Sequence, residues 1–105
     1  MQPILDIRTV RSDLFTYSLG TAAQPCRHCG NFFESAECCL RDAGEALHTY
    51  FDSVHIRFAG FSLGSYPVAR MIHDPPGVFA ELMADVLAIY RQRAAPQLRE
   101  RPSSA

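Results

Sequence analysis

The spacing of apolar residues changes along this chain, and the order of those changes constrains its fold most strongly. Residues 3–10 and 14–19 alternate between apolar and polar positions around a turn-like segment, 11–13, which predicts a β-hairpin. Residues 53–61 alternate again and predict another strand. Between them, apolar residues in the segment 31–51 recur every three or four positions, as on the buried side of a helix.

Start and stop signals support two helices. The first is predicted to run from an N-cap at Asn31 to about Phe51, and Gly44 inside it indicates close packing against a neighbour. The second follows Asp74-Pro75-Pro76, since proline at the first helical position loses no hydrogen bond, and it is predicted to end near Arg93.

The segment between the last predicted strand and the second helix fits two structures. Residues 62–65 predict a turn, after which residues 66–72 form either a returning strand or a short helix. Pro67 would place a strand at the edge of the sheet, whereas Ser65 would serve as the N-cap of a helix.

We therefore predict a single α+β domain in residues 1–93 with the element order ββαββα. In it, a four-stranded antiparallel sheet carries two helices packed on one face. Residues 94–105, which end in Arg-Pro-Ser-Ser-Ala, are predicted to form a flexible C-terminal tail.

Composition argues against several classes of function. The ten basic residues are all arginine and are interspersed with eleven acidic residues, for a net charge of -1. Duplex DNA is therefore not expected as a partner, because it requires a basic surplus on one face. No apolar run of about 18 residues predicts a membrane span. The N-terminus lacks a basic segment followed by an apolar one, which predicts a cytoplasmic protein.

A G-x-S-x-G motif, Gly60-Phe61-Ser62-Leu63-Gly64, follows a predicted strand. Over residues 54–72 the chain resembles the nucleophile elbow of α/β-hydrolases, which implies Ser62 as a nucleophile and a later histidine as its base. The only histidine after Ser62 is His73, with no acidic residue between them, and 105 residues are too few for that fold. We therefore interpret the motif as a tight turn, assign no catalytic residue and predict a non-enzyme.

The four cysteines carry a second motif. Cys26-Arg27-His28-Cys29-Gly30 resembles a zinc knuckle, C-x-x-C-G, which supplies two of the four ligands that a closed zinc site needs. Cys38 and Cys39 do not complete the site, because Cys38 lies roughly 10 Å from the predicted helix start at Asn31, measured along the helix axis at a rise of ~1.5 Å per residue.

Our zinc hypothesis therefore combines Cys26, Cys29 and His73, with Asp74 or His28 as the fourth ligand. His73 precedes the second predicted helix much as Cys29 precedes the first. Two alternatives use the same residues: a redox-active dithiol, or four ordinary cysteines in a reducing compartment. No other cofactor is expected.

The chain has seven Phe and four Tyr, more than one helix-covered core needs. If both helices cover one face of the sheet, the other face is expected to carry aromatic residues mixed with arginine. Such a face is typical of surfaces that bind a protein or form a dimer. Stacking of single-stranded RNA bases on the same face is the less favoured form of this binding hypothesis. Depending on register, its residues come from Phe15, Tyr17, His55, Arg57, Phe61, Tyr66 and Arg70.

From these features we expect a small stand-alone regulatory protein of bacterial type. It would bind another protein through that aromatic and arginine-bearing face, as inhibitors and immunity-type proteins do, with a homodimer as a further expectation. The alternative is a zinc-binding module, structural or directed to nucleic acid. An enzyme that depends on a thiol or on Ser62 is the third hypothesis.

Overall fold

The described part of the chain folds into one five-stranded sheet and three helices. The computed structural model describes residues 2–21, 23–24 and 26–104, with side chains as far as Arg93. The elements in chain order are β1 Ile4–Arg11, β2 Leu14–Gly20, β3 Arg27–His28, α1 Ala36–Leu47, β4 Ser53–Phe58, β5 Phe61–Pro67, α2 Val68–His73 and α3 Pro75–Ser104. They enclose one apolar core, so the chain is a single compact α+β domain.

The sheet differs from the predicted four-stranded antiparallel one. Its strand order is β3-β2-β1-β4-β5, which adds the two-residue β3 at one edge. The hairpins β1–β2 and β4–β5 are antiparallel as predicted, but β1 and β4 run parallel, with Leu5 opposite Ile56. The prediction failed there because alternation reports which side a residue faces and not which strands become neighbours.

The predicted turn at residues 62–65 is wrong. The chain reverses at Ala59 and Gly60, whose φ values of 53° and 83° are typical of a two-residue type I′ turn. Gly64, at φ 109°, lies instead at a register shift within the β4–β5 ladder. Beyond it, both structures considered for residues 66–72 occur in succession, because β5 ends at Pro67 and α2 follows directly.

Helix α1 is shorter at both ends than predicted. Its N-cap is Ser35, whose hydroxyl accepts a hydrogen bond from the Cys38 amide at 3.2 Å. Asn31 is not the cap because the chain after it is still extended: Phe33 exchanges two backbone hydrogen bonds of 2.7 Å with Phe15. The close packing predicted at Gly44 is confirmed, since a Cβ there would lie 2.9 Å from Cγ1 of Ile72 in α2.

Helix α3 begins at Pro75, as predicted, and its first turn is capped by the Asp74 carboxylate, which accepts from the Gly77 amide. Its backbone is helical to Ser104, so it includes most of the segment 94–105, whose flexibility stays a prediction; Ala105 lies outside the described residues. Although α3 has 30 residues, neither it nor any other described helix is apolar enough to cross a membrane.

All three helices pack on the same face of the sheet. Two tyrosines connect that face to the helices: the Tyr17 hydroxyl donates to Asp42 of α1 at 2.6 Å, and the Tyr66 hydroxyl donates to Asp85 of α3. Helix α2 packs against α1 at Gly44. The opposite face is not covered by any described helix.

The position of the α1 cap can be tested by mutation. Replacing Ser35 with alanine should lower the free energy of unfolding by about 1 kcal/mol, because the Cys38 amide loses its acceptor. Replacing Asn31 with alanine is the matched control and should change stability by less than about 0.5 kcal/mol. Urea unfolding followed by circular dichroism measures both, and a larger loss in the Asn31 variant would contradict the observed helix start.

The buried tyrosines predict loss of stability at high pH. Burial, and secondly the hydrogen bond to a carboxylate, raise the pKa of Tyr17 and Tyr66 well above the usual value. Their contribution is therefore fully present below pH ~10, where unfolded tyrosine keeps its proton, and it is lost as the pH rises above that value. Thermal unfolding between pH 8 and 11 should show this fall. The fall in stability should be smaller in the Tyr17→Phe variant. It should be the same as in the wild type in the Tyr50→Phe variant, since Tyr50 is 77% exposed.

Candidate functional site

The uncovered side of the sheet is almost entirely polar. Strand register places Asp6 beside both Ser18 and Arg57, and His55 beside Ser65, so these side chains share the face turned away from the helices. We call this surface the open face. Its residues are Ile4, Asp6, Arg8, Thr16, Ser18, His28, Ser53, His55, Arg57, Ser62 and Ser65.

Five of the seven residues from which the exposed face was predicted to draw lie elsewhere. Tyr17 and Tyr66 are buried on the helix side, and Phe15 packs partly buried against the core. Phe61 lies under the guanidinium of Arg93 in α3, 5.0 Å from the ring centroid. The strand pattern shows that Phe15 and Tyr17 share a side, but the side itself is decided by where the helices pack.

The remaining three predicted residues lie on two different parts of the molecule. Arg70 lies on α2, where its guanidinium forms ion pairs with Glu81 and, at 3.8 Å, with Asp74. Only His55 and Arg57 lie on the open face. The aromatic surface expected from the sequence is therefore replaced by a polar one that keeps two of its residues.

Charge on the open face is concentrated near the end of β1 and β4. Arg8 pairs with the nearly buried Asp6 at 3.2 Å. Arg57 is exposed, and no carboxylate among the described residues lies within ion-pair distance of it. A cavity of about 370 Å³ lies between these groups, and it is lined by Asp6, Arg8, Thr9, Arg57, Ala59 and Gly60. A free guanidinium beside a cavity is suited to bind an anion.

Ser62 lies on the open face in a hydrogen bond that the sequence analysis did not anticipate. Its hydroxyl lies 2.5 Å from Nε2 of His55 on the neighbouring strand. The motif is therefore strand–turn–strand and not the strand–turn–helix of a nucleophile elbow. The chain order of a nucleophile elbow predicts a base later than Ser62, whereas the hairpin turn at residues 59–60 brings an earlier histidine to it.

The cysteine motif is extended rather than folded into a knuckle. Residues 26–29 run along β2: Arg27 and His28 pair with it, and the Cys29 amide donates to the Tyr17 carbonyl at 3.0 Å. At ~3.3 Å per residue, the Cα atoms of Cys26 and Cys29 are roughly 10 Å apart, and side chains three residues apart on a strand point to opposite faces. Binding one zinc ion through both sulfurs would require β3 to leave the sheet.

The other predicted zinc ligand is elsewhere. His73 lines a cavity of about 240 Å³ whose other lining residues include His48 and Asp52 but neither Cys26 nor Cys29. Across the described residues, no group of three or more His, Cys, Asp or Glu side chains is arranged to hold a metal ion. The geometry therefore does not bring Cys26, Cys29 and His73 together.

Cys29 differs from Cys39 in the chemistry of its thiol. Burial alone would raise the pKa of Cys29, but its hydrogen bonds with the backbone of Asn31 and Tyr17 and with the Thr16 side chain bring it below the usual value. Burial raises the pKa of Cys39 to about 12. Cys29 thus has the more readily ionised thiol of the two, but Cys26 is not placed to form a dithiol with it.

A scan against protein-family models found no matching family, and searches of curated proteins and of solved structures found no match. The function is therefore inferred from the chemistry of these residues.

The extended conformation of β3 predicts how the motif responds to oxidation. A disulfide requires Cα atoms within about 6.8 Å, so the folded protein should form little Cys26–Cys29 disulfide with diamide, whereas the urea-unfolded chain should form it readily. Peptide mapping by mass spectrometry measures both. Equally fast formation in the folded protein would show that β3 does not hold the two cysteines apart.

Proposed function

We propose that this protein is a small regulatory domain that binds another protein through the open face of its sheet. The supporting observation is the one-sided packing of the helices. Helices α1 and α3 are both hydrogen-bonded to the sheet from the same side, through Tyr17 and Tyr66. No described helix covers the other side of the sheet, which leaves that side available for a partner.

The polar character of the open face indicates what kind of partner it fits. Interfaces of this composition occur in transient complexes, where complementary charge sets specificity and the rate of association more than affinity. The exposed Arg57 guanidinium, beside Arg8 and close to His55, favours an acidic segment of the partner. A guanidinium binds a carboxylate through two parallel hydrogen bonds, which would orient such a segment across β1 and β4.

Charge reversal tests this proposal. The tagged protein should retain an acidic partner from cells of its native host, and Arg57→Glu should reduce that retention about tenfold, or ~1.4 kcal/mol. Arg41→Glu is the matched control, since Arg41 is an exposed arginine on α1, away from the open face. Equal loss of the partner in both variants, or no loss in either, would refute binding through the open face.

A second copy of this chain is the other candidate partner, because α3 exposes two apolar side chains three residues apart. Leu87 is 48% exposed and Tyr90 is 66% exposed, and both lie outside the open face. Sedimentation of the purified protein separates the two cases. A dimer that Leu87→Glu dissociates would assign self-association to α3, whereas a dimer that only Arg57→Glu dissociates would place it on the open face.

A further inference from the structure

We propose that Ser62 is a nucleophile activated by His55, and that it accepts the acyl group of an ester carrying a negative charge. This activity goes beyond partner binding and does not depend on it. It rests on three observations: the hydrogen bond between the two side chains, the exposure of Ser62 to solvent, and a cavity lined by Arg57, the residue opposite Ser62.

The first observation is the contact between nucleophile and base. Nε2 of His55 lies 2.5 Å from Oγ of Ser62, within the distance needed for the imidazole to take the hydroxyl proton. Both residues lie on strands of one hairpin, closed by the tight turn at residues 59–60. Groups held on paired strands keep their relative positions better than groups on loops.

The second observation is that Ser62 is accessible. Its side chain is exposed, and it lies next to a register shift at Leu63 and Gly64. Irregularities of this kind bend a strand locally and redirect its side chains. Ser65, on the same strand and the same face, lies opposite His55 in the ladder, but its hydroxyl hydrogen-bonds to Gln2 and not to the histidine. The contact with His55 therefore distinguishes Ser62 from its neighbouring serine.

The third observation indicates the class of substrate. Arg57 is directly opposite Ser62 in the β4–β5 ladder and lines the cavity of about 370 Å³ on the open face. Because Arg8 in that cavity is already paired with Asp6, the positive charge available to a ligand is that of Arg57. An ester with a carboxylate or phosphate group could place its anion on Arg57 and its carbonyl near Ser62.

The reaction can be written with its atoms balanced. Oγ of Ser62 forms a bond to the carbonyl carbon, the bond from that carbon to the alcohol oxygen breaks, and the serine proton passes through Nε2 of His55 to the departing alcohol. Water then attacks the acyl-serine with His55 as base, which releases the carboxylic acid and restores Ser62. Among the described residues no carboxylate bonds to the other nitrogen of His55, so we expect slow turnover and a preference for activated esters.

The test uses 4-nitrophenyl hemisuccinate, an activated ester with one carboxylate. The wild-type protein should release a burst of about one equivalent of nitrophenolate and carry a succinyl group on Ser62, identified by peptide mass spectrometry. Ser62→Ala should abolish the burst, and His55→Gln should slow it about a hundredfold. Ser12→Ala is the matched control, since Ser12 is an exposed serine in the turn between β1 and β2, outside the open face, and it should react like the wild type.

Two further comparisons make each part of the proposal falsifiable. Arg57→Gln should slow the reaction with the hemisuccinate about tenfold and leave the reaction with neutral 4-nitrophenyl acetate unchanged. If the substitution slows both reactions by the same factor, the anionic substrate class is overturned. A full burst in Ser62→Ala, or failure of a fluorophosphonate probe to label Ser62 in the wild type, would overturn the nucleophile. Retention of the partner by Ser62→Ala is measured separately. That measurement distinguishes failure of the nucleophile proposal from failure of the binding proposal.

Discussion

The parallel pairing of β1 with β4 is the interaction on which the rest of this structure depends. Each hairpin alone has one apolar side too small to bury, and pairing their first strands joins those sides into a single surface. Leu5 and Ile7 then lie beside Ile56 and Phe58, and the combined surface is wide enough for all three helices. Phe79 of α3, for example, packs edge-on against Phe58 at 5.9 Å between ring centroids.

The same pairing determines the chemistry of the opposite face. Side chains alternate along a strand, so once the apolar residues of β1 and β4 face the helices, Asp6, His55 and Arg57 are brought together on the other side. The buried tyrosines reinforce this orientation, because each hydroxyl needs a hydrogen-bond acceptor that only a helix on its own side supplies. A mixed polar surface is thus the consequence of building a one-sided core.

Two motifs that suggest chemistry in the sequence acquire a different meaning from their backbone conformation. In C-x-x-C the backbone is extended, which separates the two thiols, and Cys29 interacts with Thr16 and Asn31 rather than with Cys26. In G-x-S-x-G the first glycine closes a hairpin, which brings Ser62 to a histidine earlier in the chain. A motif records residue types and spacing, but the reactivity of its side chains depends on whether the backbone turns or extends between them.

The sequence by itself determined the local elements: the first hairpin, the apolar side of α1, the start of α3 at Pro75 and the close contact at Gly44. These follow from periodicity, proline geometry and side-chain size, which act over a few residues. Only the tertiary structure decided that β1 pairs with β4, that Tyr17 and Tyr66 face the helices, that Phe33 stays extended beside Phe15, and that His55 meets Ser62. Those outcomes depend on contacts between distant segments, and alternation fits either face of a sheet equally well until the helices cover one of them.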